Sequence, residues 1–165
     1  MKVCAMIAGK KCSDRIPHGL LDRQIPVLYH DFGVRKILSG VHRGAELISL
    51  DRILQTRGSF PDLKVDGVFT HEEEANFWDE TEREQLYRMI SQCDEELILK
   101  PVYGNEMRFQ RNIVMMDLAD IVLLLGRDRE IEFWAAKLMK PILKLDAEKN
   151  CMIPDIRLYR SSGNG

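Results

Sequence analysis

The sequence has no stretch able to cross a bilayer: apolar runs such as 121–125 and 114–116 fall far below the roughly 20 residues that a spanning helix needs. It has no long run of one charge either. With 24 Lys and Arg against 26 Asp and Glu the formal charge is −2, so no bulk nucleic-acid binding is expected, and an anionic ligand has to be held by local groups. The four cysteines, Cys4, Cys12, Cys93 and Cys151, form no C-x-x-C pair and are joined by no paired histidines at metal-ligand spacing, so no metal is expected. Neither G-x-x-x-x-G-K-[ST] nor G-x-G-x-x-G occurs, which argues against a P-loop NTPase and an ordinary nicotinamide dehydrogenase, and no cofactor is expected. The apolar run 3–8 is shorter than a signal-peptide core and reads as a strand, so the expected setting is the cytoplasm, with no membrane attachment.

What is present is a rhythm. Apolar β-prone runs at 3–8, 34–38, 64–70, 96–100, 120–126 and 141–145 alternate with segments whose apolar residues recur at helical spacing, at 45–56, 82–92, 107–118 and 129–140. A further helix starts after residue 12, capped by Ser13 or Asp14, with Pro17 in its first turn and Pro26 at its end. Thr81 to Glu84 fits a capping box. Asp66 and Gly67 weaken the third strand and suggest a place nearer an edge, whereas 121–125, apolar throughout, reads as central. In helix 107–118 the expected buried set is Phe109, Ile113, Met116 and Leu118. The fold class is α/β, a Rossmann-like three-layer sandwich with a mostly parallel sheet of about five to six strands and helices on both faces. Residues 1–150 form a single domain, and 151–165, ending Ser-Ser-Gly-Asn-Gly, form a partly flexible tail.

In such sheets ligands lie beyond the carboxyl ends of the strands, so the turns there are the ones to read. The turn Gly40-Val41-His42-Arg43-Gly44-Ala45-Glu46 hands a strand to a helix: glycine permits close backbone approach, the helix start offers N–H groups, and His42 and Arg43 add donors. The alternative is a tight turn with solvated side chains. Gly9 and Lys10 in the first turn could share an anion with it, and Arg108 and Arg111 either reach the same mouth or pair with surface acids such as Asp117 and Glu106. Phe77 and Trp78 either stack on a base or pin their loop to the core. Glu132, one turn into the helix after the central strand, suits a nucleophile or general base at an anomeric carbon, or it simply complements the helix dipole.

The order of these residues resembles a family. The Gly-x-x-x-Gly-Ala-Glu turn, then Phe77-Trp78, then Arg111-Asn112-x-x-Met115-x-Asp117 ahead of the 121–125 strand look like the YpsA-like branch of the SLOG superfamily, from about Gly9 to Leu145. The resemblance implies a Rossmann-like protein that binds a nucleotide or nucleotide-derived ligand such as ADP-ribose. It places Gly40, Gly44 and Glu46 in the ligand turn and matches Trp78, Arg111, Asn112 and Asp117 to the branch's other motif positions. Related LOG-type enzymes carry a Gly-Gly-x-Gly-Thr turn before a catalytic Glu. Here that turn is Gly126-Arg127-Asp128-Arg129-Glu130-Ile131-Glu132, and the first turn lacks a Thr-Gly start. Three functions follow: nucleotide binding with catalysis unproven; an N-glycosidic-bond enzyme of deoxyribosyltransferase or phosphoribohydrolase type, using Glu132 with Arg127 or Arg111 on the phosphate; and an interaction protein with a vestigial site, whose exposed Met and Trp residues make a homo-oligomer.

Overall fold

The computed structural model describes residues 1–10, 12, 18–71, 73–99, 106–146 and 151–154. Strand β1 (Lys2–Ala8) is the centre of one sheet in which β1 pairs parallel with β2 (Val34–Gly40) on one side and β5 (Ile121–Leu125) on the other. Beyond β2 come β3 (Lys64–Phe69) and β4 (Glu95–Ile98); beyond β5 come β6 (Ile142–Asp146) and the antiparallel β7 (Cys151–Pro154). The order β4-β3-β2-β1-β5-β6-β7 reverses direction at β1, so the crevice of this Rossmann-like sheet opens beside the carboxyl ends of β1, β2 and β5. The expected outer place of the 141–145 strand gives way to β7, which continues the sheet past it.

Alternation along the central strands builds both cores. Cys4, Met6, Ile121, Leu123 and Leu125 face one layer, with α1 (His18–Pro26), α2 (Ala45–Thr56) and α3 (Glu80–Ile90) supplying Leu20, Leu21, Leu50, Ile53 and Leu86. Ala5, Ile7, Val122 and Leu124 face the other, where Met115 and Met116 of α4 (Met107–Leu118) and Ile131 and Ala135 of α5 (Arg129–Lys137) pack. A strand buried on both faces therefore reads as a continuous apolar run.

Several expectations are corrected. Pro26 is the last residue of α1, as expected, but its φ of −57° is helical and the chain runs on directly into a π-helical turn (Val27–Asp31) closed by the Phe32 N–H on the Val27 carbonyl. The cap of α3 is Asp79, whose carboxylate accepts from the Glu82 N–H, so the Thr81 capping box is not used. Strand β3 is second from the edge, near the place expected, yet buried along nearly its whole length, with Val65 and Phe69 in one core and Val68 in the other; Lys36 Nζ meets the buried Asp66 at 2.9 Å, and that carboxylate holds Lys36 above its ordinary pKa. On α4 Met116 is buried as expected and Phe109 and Ile113 are half-buried, but the buried face also takes Arg111, Asn112 and Met115, and Leu118 is exposed. The caps Ser13 and Asp14 with Pro17, the punctuating Gly104 and Asn105, and the tail from residue 155 lie outside the described residues. Among the described residues no helix is long and apolar enough to cross a membrane.

Candidate functional site

The turn from β2 to α2 has two glycines with separate jobs. Gly44 sits at φ 99°, ψ −135°, a backbone state that side chains resist, and it starts α2 with no side-chain cap. Gly40 has an ordinary φ but no room: a Cβ there would lie 2.0 Å from Glu46 Oε2 and 2.8 Å from Arg111 Nη1. The Glu46 carboxylate and the Arg111 guanidinium are thus folded directly onto the Gly40 backbone.

Both side chains are fully closed from solvent. Arg111 Nη2 donates to Glu46 Oε1 at 2.6 Å and to Asn112 Oδ1 at 2.7 Å, and Arg111 Nε donates to the same Asn112 oxygen at 3.1 Å. The remaining ends, Glu46 Oε2 and Arg111 Nη1, have no hydrogen-bond partner among the described residues. Buried polar atoms are paired in the great majority of cases, so an orphaned acceptor and an orphaned donor side by side are unusual. Arg108, whose side chain is 42% exposed, reaches to 3.5 Å from Glu46 Oε1 and marks the solvent side of the cluster.

A second carboxylate closes the cluster from the loop after β3. Glu74, nearly buried, takes the Thr70 N–H on Oε2 at 2.9 Å and sits 3.5 Å from His42 Nδ1. Burial alone would raise its pKa, but His42, the Thr70 N–H and the charge of Arg111 outweigh it and hold the carboxyl below its ordinary value. Nothing in the acidic run 72–74 distinguished Glu74 from Glu73, whose N–H merely bonds His71 Nδ1; only the close of β3 at Phe69 sets which carboxylate reaches back.

The turn after β5 is built differently. Asp128 caps α5, accepting from the Glu130 and Ile131 N–H groups on Oδ1 and from the Lys10 N–H on Oδ2 at 3.0 Å. Gly9 donates to the Leu125 carbonyl at 2.8 Å and presses so close that a Cβ would meet the Arg127 carbonyl at 2.5 Å. The Lys10 ammonium pairs with Glu130 at 3.0 Å, which raises the lysine's pKa.

Of the sequence candidates, then, Gly40, Gly44, Glu46, Arg111 and Asn112 come together, with His42 joined to them through Glu74. Arg43 turns away to Glu82 of α3 at 3.4 Å. Trp78 is in the core under α1 to α3 while Phe77 is 96% exposed. Asp117 is exposed near the far end of α4, roughly 9 Å of helix rise from Arg111. Glu132 pairs with Lys144 of β6, and Arg127 is exposed beside the capped α5 turn. Gly9 and Lys10 belong to the Asp128 arrangement.

A family model described as the YspA SLOG family matches residues 17–159. The UPF0398 protein YpsA of Bacillus subtilis (strain 168) is 30% identical over 102 residues, which cover 60% of this chain and 56% of that protein. The chain therefore spans little more than half the length of that relative. Among solved structures, one titled as the X-ray structure of TM1055 aligns with 86% of this chain and 72% of its own, at 16% identity and a TM-score of 0.48.

Proposed function

The chain belongs to the YspA SLOG family, and from that premise we propose that it binds a nucleotide or nucleotide-derived phosphorylated ligand where the β2–α2 turn meets α4. One observation carries the reading: the uncapped start of α2 adjoins a buried Glu46–Arg111 pair in which Glu46 Oε2 and Arg111 Nη1 have no partner among the described residues. A helix start with free N–H groups attracts an anion, and orphaned buried polar atoms are a cost that a bound group removes. Arg108, half-buried and 3.5 Å from Glu46, is the cation placed to meet a phosphate at the rim. A cytoplasmic setting goes with this reading, Cys4 and Cys93 being free thiols.

The test is a thermal-shift screen against nucleoside mono-, di- and triphosphates, ADP-ribose and NAD. A ligand at a hundred times its dissociation constant stabilises by about 2.7 kcal/mol, which is easily seen. The expected result is a rise confined to one ligand class and lost in Arg108→Ala, a surface change that leaves the fold intact. No rise with any of them overturns the proposal.

A further inference from the structure

We propose that the outer face of the α4–α5 layer receives a second copy of this chain, related to the first by a twofold axis running along the two helices. The charges of these helices carry the proposal. Arg108 and Arg111 turn to Glu46, Glu130 pairs with Lys10, and Glu132 pairs with Lys144. What is left over is Glu106 at the start of α4 and Asp117 near its end, with Arg129 at the start of α5 and Lys137 at its end. All four are exposed, and none has an ion-pair partner among the described residues. The other helical layer differs, since Arg43, Arg52 and Arg57 pair there with Glu82, Asp22 and Asp94 of the same chain.

Helical spacing puts Glu106, Gln110 and Asp117 on one line of α4 with Val114 beside it, and Arg129, Phe133 and Lys137 on one line of α5, each line opposite the helix's buried face. So α4 is acidic at both ends and α5 basic at both ends, and the two run the same way because each crosses between parallel strands. A twofold axis along them lays each α4 on the partner's α5, start to start. Glu106 then meets the partner's Arg129, and Asp117 meets the partner's Lys137, each pair formed twice. A partner turned end for end would instead set acid against acid and base against base. Between the charges lies the apolar part: Phe133 is 58% exposed and joins Trp134 and Phe109 in a strip with ring centroids 5.6 and 6.1 Å apart. An exposed aromatic strip rimmed by charge is what the centre of an interface is made of. Lys137 Nζ stands 5.3 Å from the Trp134 centroid, so covering the strip desolvates an ammonium, and the partner's Asp117 supplies the countercharge that this requires.

The experiment is sedimentation equilibrium of the full chain across micromolar concentrations, with no ligand added, so that its outcome is independent of the binding reading above. The expected result is a reversible dimer of twice the chain mass of 19.1 kDa. Phe133→Asp should leave a monomer. Asp117→Lys and Lys137→Glu should each weaken the dimer about tenfold or more, because each sets like charges against one another at two places. Mixed in equal amounts, the two reversed chains should dimerise again, since the new charge of each then faces an opposite charge on the other. A contact within one chain cannot be repaired by mixing. The substituted side chains are exposed, so every variant should keep the parent's melting curve apart from what dimerisation adds. A monomer at every concentration overturns the proposal. So does a dimer indifferent to Phe133→Asp or to both reversals, which places the contact on another face, and so do reversals that mixing fails to repair.

Discussion

Two helices begin at the same edge of the sheet, and they begin in opposite ways. Helix α5 is sealed: Asp128 adopts an extended backbone at φ −162°, ψ 109°, accepts two N–H groups of its own helix and a third from Lys10, and so joins the β1 and β5 turns. Helix α2 is begun by Gly44 at positive φ with no side-chain cap and floored by a buried ion pair that leaves one oxygen and one nitrogen without a partner among the described residues. A finished cap is worth about 1 kcal/mol, so leaving one out, together with two orphaned buried atoms, lowers stability unless another group completes the site. The contrast separates stability from function within one edge. The α5 turn is capped by the chain's own carboxylate, and the α2 turn has no side-chain cap.

The sharpest way to break that contrast is Arg111→Ala. Removing one member of a fully buried pair leaves the buried Glu46 with only the more distant Arg108, at 3.5 Å, and a loss of about 3 kcal/mol or somewhat more in urea unfolding is expected. The companion Glu46→Gln, Arg111→Met should recover much of it, because no charge is then stranded; a double variant no better than the single one would mean that packing, and not charge, holds this floor. Gly40→Ala comes next. Its methyl has to displace Glu46 Oε2 from 2.0 Å, so about 1–3 kcal/mol is lost by overpacking and nucleotide-induced stabilisation disappears with it. Retained stabilisation in a folded Gly40→Ala protein would place the ligand elsewhere.

The asymmetry between the two turns was half legible. That a strand hands over to a helix at Gly40 to Glu46 follows from periodicity, and α2 runs over the expected residues 45–56. The central place of the Ile121–Leu125 strand follows from an apolar run without alternation. Less legible was α4, because Arg111 and Asn112 look like surface residues until a carboxylate 65 positions away closes on them; helical periodicity counts apolar side chains and passes over a buried ion pair. Asp128 was likewise one acid in a charged turn. Its role depends on Lys10, 118 residues earlier, and local sequence has no access to a contact of that span. Glu132 looked the better acid at this edge, yet β6 brings Lys144 against it.

Asp128→Ala sharpens the comparison from the sealed side. Loss of the cap should cost about 1 kcal/mol, seen as a lower melting temperature, while binding at the α2 turn is untouched. With the α5 N–H groups freed, added sulfate should restore part of the loss in the variant and not in the parent; equal sulfate responses would show that the turn was never closed to anions. Acid acts on the open side. The Glu74 carboxyl is held below its ordinary pKa in the folded protein, so its contribution is fully present above the unfolded value near pH 4.3 and fades as the pH falls through the folded value. Glu74→Gln should therefore flatten the fall of stability below about pH 4.3, read as melting temperature against pH, and an unchanged slope would mean that its pairing with His42 contributes nothing.

The smallest effect belongs to Lys10→Ala. Its ammonium and the Glu130 carboxylate are 77% and 45% exposed, a setting in which water and salt screen an ion pair almost completely. The bond that ties the first turn to Asp128 comes from the Lys10 backbone N–H, which alanine keeps. The melting temperature should thus stay where it is, at low and at high salt alike. A clear drop that salt removes would show that the seal on α5 is made by the surface bridge and not by the backbone, and the distinction between a turn closed by its own main chain and one with no side-chain cap would then rest on the α2 side alone.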